Sequence, residues 1–210
     1  IKGTLLAHTP DHFPFLAQYV NTRNRTIFYA TLGRLLFMDD SAEKFHAFMA
    51  PFGDLCDRLA ATDAHTFRTH EVKHTLIGLF RDLRGIASSA NSRRTYGLLF
   101  DWMYPRHTGL LLRAMENFAD DPQVSTPLLK FVAEFVLNKT QRLTFEPPSV
   151  NGILLFREVS KLIVAYGQRV ISLPPPKPGS AESYPTRFKG IWIALTVLMR
   201  ALSGNYVNFG

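Results

Sequence analysis

The chain has 210 residues, 46% of them hydrophobic and 20% charged, a globular composition that excludes a low-complexity or collagen-like chain. Its formal net charge of +7 is spread along the sequence without a block of like charges, which argues against a basic nucleic-acid-binding tail. A single cysteine, Cys56, excludes an intramolecular disulfide and fits a reducing compartment; its setting in FGDLCDRLAA suits packing better than nucleophilic chemistry.

The first residue is Ile, and no charged segment, apolar core and cleavage site follow it, so no signal peptide is expected. The last residues are SGNYVNFG, and both ends read as cut from something longer. Between them the apolar spacing is helical, and it predicts helices over 24–38, 41–62 with a kink, 66–88, 91–104, 106–119, 123–138, 152–172 and 186–203. Asp40 with Glu43 resembles a capping box at the second of these. Pro51 lies inside it and is expected to kink or split it, because an interior proline costs about 3 kcal/mol. In the third, Val72, Leu76, Leu79, Leu83 and Ile86 form one stripe. Pro105 closes the fourth helix, and Asp121-Pro122 or Thr126-Pro127 opens the sixth, whose stripe is Leu128, Phe131 or Val132, and Phe135 or Val136. Phe156, Val159, Ile163, Tyr166 and Val170 mark the seventh; Ile191, Leu195, Leu198 and Leu202 mark the eighth. Proline-rich loops are expected near 139–151 and at LPPPKPGSAESYP, 173–185. GIWIALTVLM, the longest nearly apolar run, falls far short of the roughly 20 residues of a membrane span.

The expected fold is all-α: antiparallel helix pairs recurring about every 40 to 47 residues, the period of HEAT-type repeats stacked as an α-solenoid. No strand is expected. The 210 residues read as one such segment.

Few residues suggest chemistry. HEVKH, 70–74, matches H-E-x-x-H, so His70 and His74 could ligate zinc with Glu71 as base, but no downstream third ligand has the expected setting, and Val72 and Leu76 put the core beside a helix start near water. Phosphate-cradling, nucleophile-elbow and dinucleotide motifs are all missing, so neither catalysis nor a cofactor is expected. The acidic pairs Asp39-Asp40 and Asp120-Asp121 read as helix caps. The remaining candidate is RDLRGIASSANSRRTYGLLFDWMYP, 81–105. Arg81 and Arg84 share a helix face, while Arg93 and Arg94 sit in a first turn, where the helix dipole favours acids. These four arginines either meet an acidic partner, pair between repeats, or face water.

The strings TLGRLLFMDD, LIGLFRDLRGIA, LLFDWMYP, NGILLFRE and ALSGNYVNFG, in that order, resemble the exportin-7, or Ran-binding protein 16, family within the importin-β superfamily of nuclear transport receptors. The resemblance runs from about Arg25 to Gly210 and places the chain internally, toward the C-terminal half of a longer receptor. It implies a HEAT superhelix that binds protein cargo with Ran in its GTP form, touches phenylalanine–glycine nucleoporins, and shuttles between nucleus and cytoplasm. It also implies that GTP hydrolysis is Ran's, and that the principal Ran-binding repeats lie outside this segment. The competing readings are a helical nucleic-acid-binding domain, for which a basic stripe with stacking aromatics is missing, a passive α-solenoid scaffold, and last an enzyme resting on His70, Glu71 and His74.

Overall fold

A computed structural model describes residues 13–39, 41–145, 149–175 and 187–206 of the chain. Among these residues all regular structure is helical. Helix α1 is Arg25–Met38 and α2 is Ala42–Ala61. Ser41 caps α2, its hydroxyl accepting from the Lys44 N–H at 3.3 Å; Asp40, expected in that role, lies outside the described residues. α2 is not split at Pro51. Phe45, Phe48, Met49, Phe52 and Cys56 are buried on both sides of the proline, and burying such side chains gains about 1.5–3 kcal/mol each, enough to outweigh one lost backbone bond.

The third helix begins later than its apolar pattern suggests. Asp63 caps a single turn, Ala64–Phe67, and Thr69 then caps α3, His70–Ser89. Helix α4, Arg93–Met103, opens on a capping box between Ser92 and Thr95 rather than at Asn91. α5 is Thr108–Phe118. α6, Pro122–Phe135, starts on Asp121, which accepts the Gln123 N–H at 3.0 Å, and carries Pro127 inside. α7 is Asn151–Ser172 and α8 is Lys189–Ser203. Of the loop expected at 139–151, residues 139–141 form a 3-10 turn; residues 146–148, and most of the loop at 173–185, lie outside the described residues.

These helices form two rows. α1 packs on α3, α3 on α6, and α6 on α8; in the second row α2 packs on α5 and α5 on α7. Side-chain bonds fix the register. In the first row Arg25 meets Asp82, Lys73 meets Asp121, Lys139 reaches the Ser88 carbonyl, and Arg200 reaches that of Ala133. In the second, Asp57 meets Arg106, Tyr104 meets Arg157, and Asp120 meets Arg169. Partners advance together along both helices of each packed pair, so helices within a row run parallel, and successive elements connected between the rows run antiparallel. This is the HEAT-like solenoid. Its step is longer than the 40 to 47 residues expected: inter-repeat bonds join residues 49, 51 and 53 apart in the middle, and 66 to 70 apart at α8. The broken α4–α5 helix and the long connections flanking α7 supply the extra residues.

The core lies between the rows. Leu76, Leu79, Leu83 and Ile86 of α3 are fully buried, as are Leu128, Phe131 and Val132 of α6. In α7 the buried line is Leu155, Val159, Leu162, Tyr166 and Val170, with Phe156 and Ile163 at its edge. α8 differs from expectation. It buries Gly190, Ile193, Ala194, Val197 and Ala201, leaving Leu195 and Leu202 each 60% exposed. The small residues allow the neighbouring helices close, so close approach rather than side-chain size chooses the face.

Candidate functional site

The four arginines singled out in 81–105 do not form one site. Arg93 Nε donates to the Thr144 carbonyl at 3.0 Å, tying the start of α4 to the connection after α6. Arg81 and Arg84 instead line a cleft of about 490 Å³, with Arg23 from the turn before α1, Lys130 from α6 and Lys189 from α8. Neither Arg93 nor Arg94 lines it. Sequence reading missed Arg23, Lys130 and Lys189, which lie far apart in the chain. One signal was present: Lys130 interrupts the apolar run LLKFVAEF. Burial, reinforced by Lys189, Arg84 and Arg81, pulls the Lys130 ammonium below the ordinary lysine range.

Several other cations are engaged on backbone carbonyls. Arg142, the largest fully buried side chain, donates Nε to the Leu137 carbonyl at 2.9 Å and Nη1 to those of Ala87 and Ala90 at 2.5 and 2.7 Å, and Nη2 to that of Glu134. Its guanidinium lies 5.1 Å from the Tyr96 ring centroid. Arg113 lies 4.0 Å from the Phe67 ring centroid and donates to the carbonyls of Leu59, Ala60 and Thr62 at the end of α2. Arg200 does the same for Ala133 near the end of α6, and Arg187 for Val170 near the end of α7. Helix C-termini present unbonded carbonyls and the negative end of the dipole, so a cation is favoured there without a carboxylate partner. Much of the basic excess is therefore structural, clamping one repeat to the next.

The aromatic end of the 81–105 stretch is also structural. Tyr96 donates its hydroxyl to the Phe135 carbonyl at 2.8 Å, Phe100 packs 5.2 Å from Phe145, and Trp102 lies 4.5 Å from His107. Tyr104 accepts from Arg157.

In HEVKH, His70 is the first residue of α3 and is exposed with Glu71, and His74 lies one turn on, half-buried. The three border an open groove with Thr75. Among the described residues, no group of three or more His, Cys, Asp or Glu side chains is arranged to hold a metal ion. Cys56 is buried, and burial, with Asp57 nearby, pushes its thiol up to about 12, so it carries almost no thiolate near neutral pH. Asp121 caps α6 and meets Lys73 at 2.6 Å, while Asp120 accepts from Arg169 Nε at 2.9 Å. Asp39 pairs with Lys44. The Asp82 carboxyl is buried against Arg25; burial lifts it to about 7 while the guanidinium pulls it down. No helix among the described residues is long and apolar enough to cross a membrane.

Fold and surface together define a helical-repeat array of the HEAT type. No family model matches the chain, and no solved structure does. Curated relatives match all of it: Exportin-7-B of Xenopus laevis at 46% identity over 219 residues, Ran-binding protein 17 of Mus musculus at 44% over 220, and Exportin-7 of Dictyostelium discoideum at 41% over 210. The similarity to exportin-7 and Ran-binding proteins runs the full length of the chain. The chain spans only 20% of the length of the first two relatives and 21% of the third.

Proposed function

We propose that the chain is an internal arc, toward the C-terminal half, of a nuclear export receptor that carries protein cargo through the nuclear pore in a Ran-GTP-dependent manner. The observation that carries this reading is the 41–46% identity over all of the chain to proteins named Exportin-7 and Ran-binding protein. The parallel rows support it, because a stack of pairs that contact only their neighbours can change curvature in small steps. Ran's nucleotide state would select among those curvatures by binding one more tightly than the others. The arc itself supplies shape and surface; the GTP chemistry belongs to Ran, and the receptor needs no cofactor. Its further partners are phenylalanine–glycine nucleoporins, and it shuttles between nucleus and cytoplasm.

The test is a pull-down of the full-length protein with Ran loaded with GTP or GDP, repeated with residues 1–210 alone. Strong preference for the GTP form in the full-length protein, weak or missing in the segment, is expected. Equal capture of both nucleotide forms by the full-length protein would remove the export reading and leave a scaffold.

A further inference from the structure

The cleft between α3, α6 and α8 gathers positive charge from side chains far apart in the sequence. Arg23, Arg81, Arg84, Lys130 and Lys189 come from four separate places in the chain to one concavity. No carboxylate lines it among the described residues. The acids nearest in sequence are engaged elsewhere: Asp82 with Arg25, Asp121 with Lys73, and Glu134 with Lys139 at 2.9 Å. Arg23, Arg84, Lys130 and Lys189 make no hydrogen bond or ion pair within the described residues, whereas Arg113, Arg142 and Arg200 are held by carbonyls. Like charges drawn together against burial raise the free energy of the empty cleft, and an anion entering it relieves that cost.

We propose that this cleft is a docking site for an acidic protein segment, one carrying clustered Asp and Glu side chains. Its volume of about 490 Å³ falls within the range of about 300–1,000 Å³ typical of ligand clefts. The lining residues all belong to the first row or the turn leading into it, so the site crosses three successive repeats on one wall of the array. A segment lying there would hold α3, α6 and α8 in one relative arrangement. Nucleic acid fits less well. Among the described residues the lining contains no aromatic side chain on which a base could stack.

The test uses the 210-residue chain and a fluorescein-labelled octapeptide of alternating Glu and Asp, read by fluorescence anisotropy. A Gln/Asn octapeptide and a single-stranded DNA of eight nucleotides are the comparison probes. The expected result is saturable binding of the acidic peptide, no binding of the neutral one, and at least ten-fold weaker acidic-peptide binding by the Arg84→Gln/Lys130→Gln variant. Arg34→Gln/Arg58→Gln removes the same charge from exposed positions outside the cleft and should bind like the parent chain. Melting curves keep the test independent of folding: Arg84→Gln/Lys130→Gln should melt at or above the parent temperature, because it relieves like-charge crowding. Equal weakening by both double variants would overturn the proposal, since only net charge would then matter. So would DNA binding tighter than the peptide and lost with the same two residues, or no peptide binding at all. None of these outcomes depends on Ran.

Discussion

Arg142 is the most constrained charge in the molecule. Four backbone carbonyls from the ends of α3 and α6 converge on its guanidinium, whose planar fork presents donors in fixed directions. Replacing it with methionine fills the space but leaves those buried oxygens without donors. Arg142→Met is expected to lose about 3–5 kcal/mol in urea denaturation, and Arg142→Lys to recover little because an ammonium cannot reproduce the fork. A methionine variant that unfolds at the parent's urea midpoint would show the clamp to be dispensable. His107 is a different case. It is buried against Trp102, and burial holds its imidazole below the ordinary histidine range, with Arg106 adding to the effect and Asp57 opposing it. The unfolded chain therefore binds a proton at this site more readily than the folded one does. Stability from His107 is present above the unfolded value of about 6.5 and is lost as pH falls below it toward the depressed folded value. Thermal midpoints between pH 7.5 and 5 should drop more steeply in the parent than in His107→Phe; parallel pH profiles would remove the assignment.

At the scale of the helix, the contact between α1 and α3 depends on missing side-chain atoms. A Cβ on Gly85 would lie 2.8 Å from the Ala30 nitrogen and closer still to the Thr26 carbonyl oxygen, both backbone. Helix propensity alone would make Gly85→Ala stabilising by roughly 0.5–1 kcal/mol. The backbone of α1 cannot yield as a side chain can, so we expect a net loss of about 1–3 kcal/mol, measurable by thermal or chemical unfolding. Helix existence was legible in the sequence because periodic apolar residues and capping side chains agree, as at Asp121-Pro122 for α6. The start of α3 was misplaced because Phe67 continues the apolar pattern while Asp63 and Thr69 each cap a separate helical segment. The buried face of α8 was misread because both of its faces are apolar, and only the neighbour shows that Ala194 and Val197 are inside while Trp192 and Leu195 are outside. The site was legible only in part. Arg81 and Arg84 share a helix face and could be paired from spacing, but Arg23, Lys130 and Lys189 join them only through the parallel packing of the first row.

Across the whole molecule, position within the row sets local stability. Among the described residues, α3 and α6 each have a row neighbour on both sides, whereas α1 and α8 have one. In a stack governed by nearest-neighbour contacts the end units open first. Native-state hydrogen exchange should find the amides of α3 and α6 slowest and those of α8 among the fastest; uniform protection would mean that the array opens as one unit. The carbonyl clamps have a further consequence for how such an array can change over generations. An acid–base rung such as Asp120 with Arg169 specifies two side chains, and altering one strands the other. Where Arg113 holds the end of α2, or Arg200 that of α6, one repeat contributes a side chain and its neighbour contributes only main chain. The neighbour can exchange the side chains at those positions freely, provided its helix still ends in the same place. Adjacent repeats joined in this way can diverge in sequence without matched substitutions, and each can acquire new surface chemistry while the stack keeps its register.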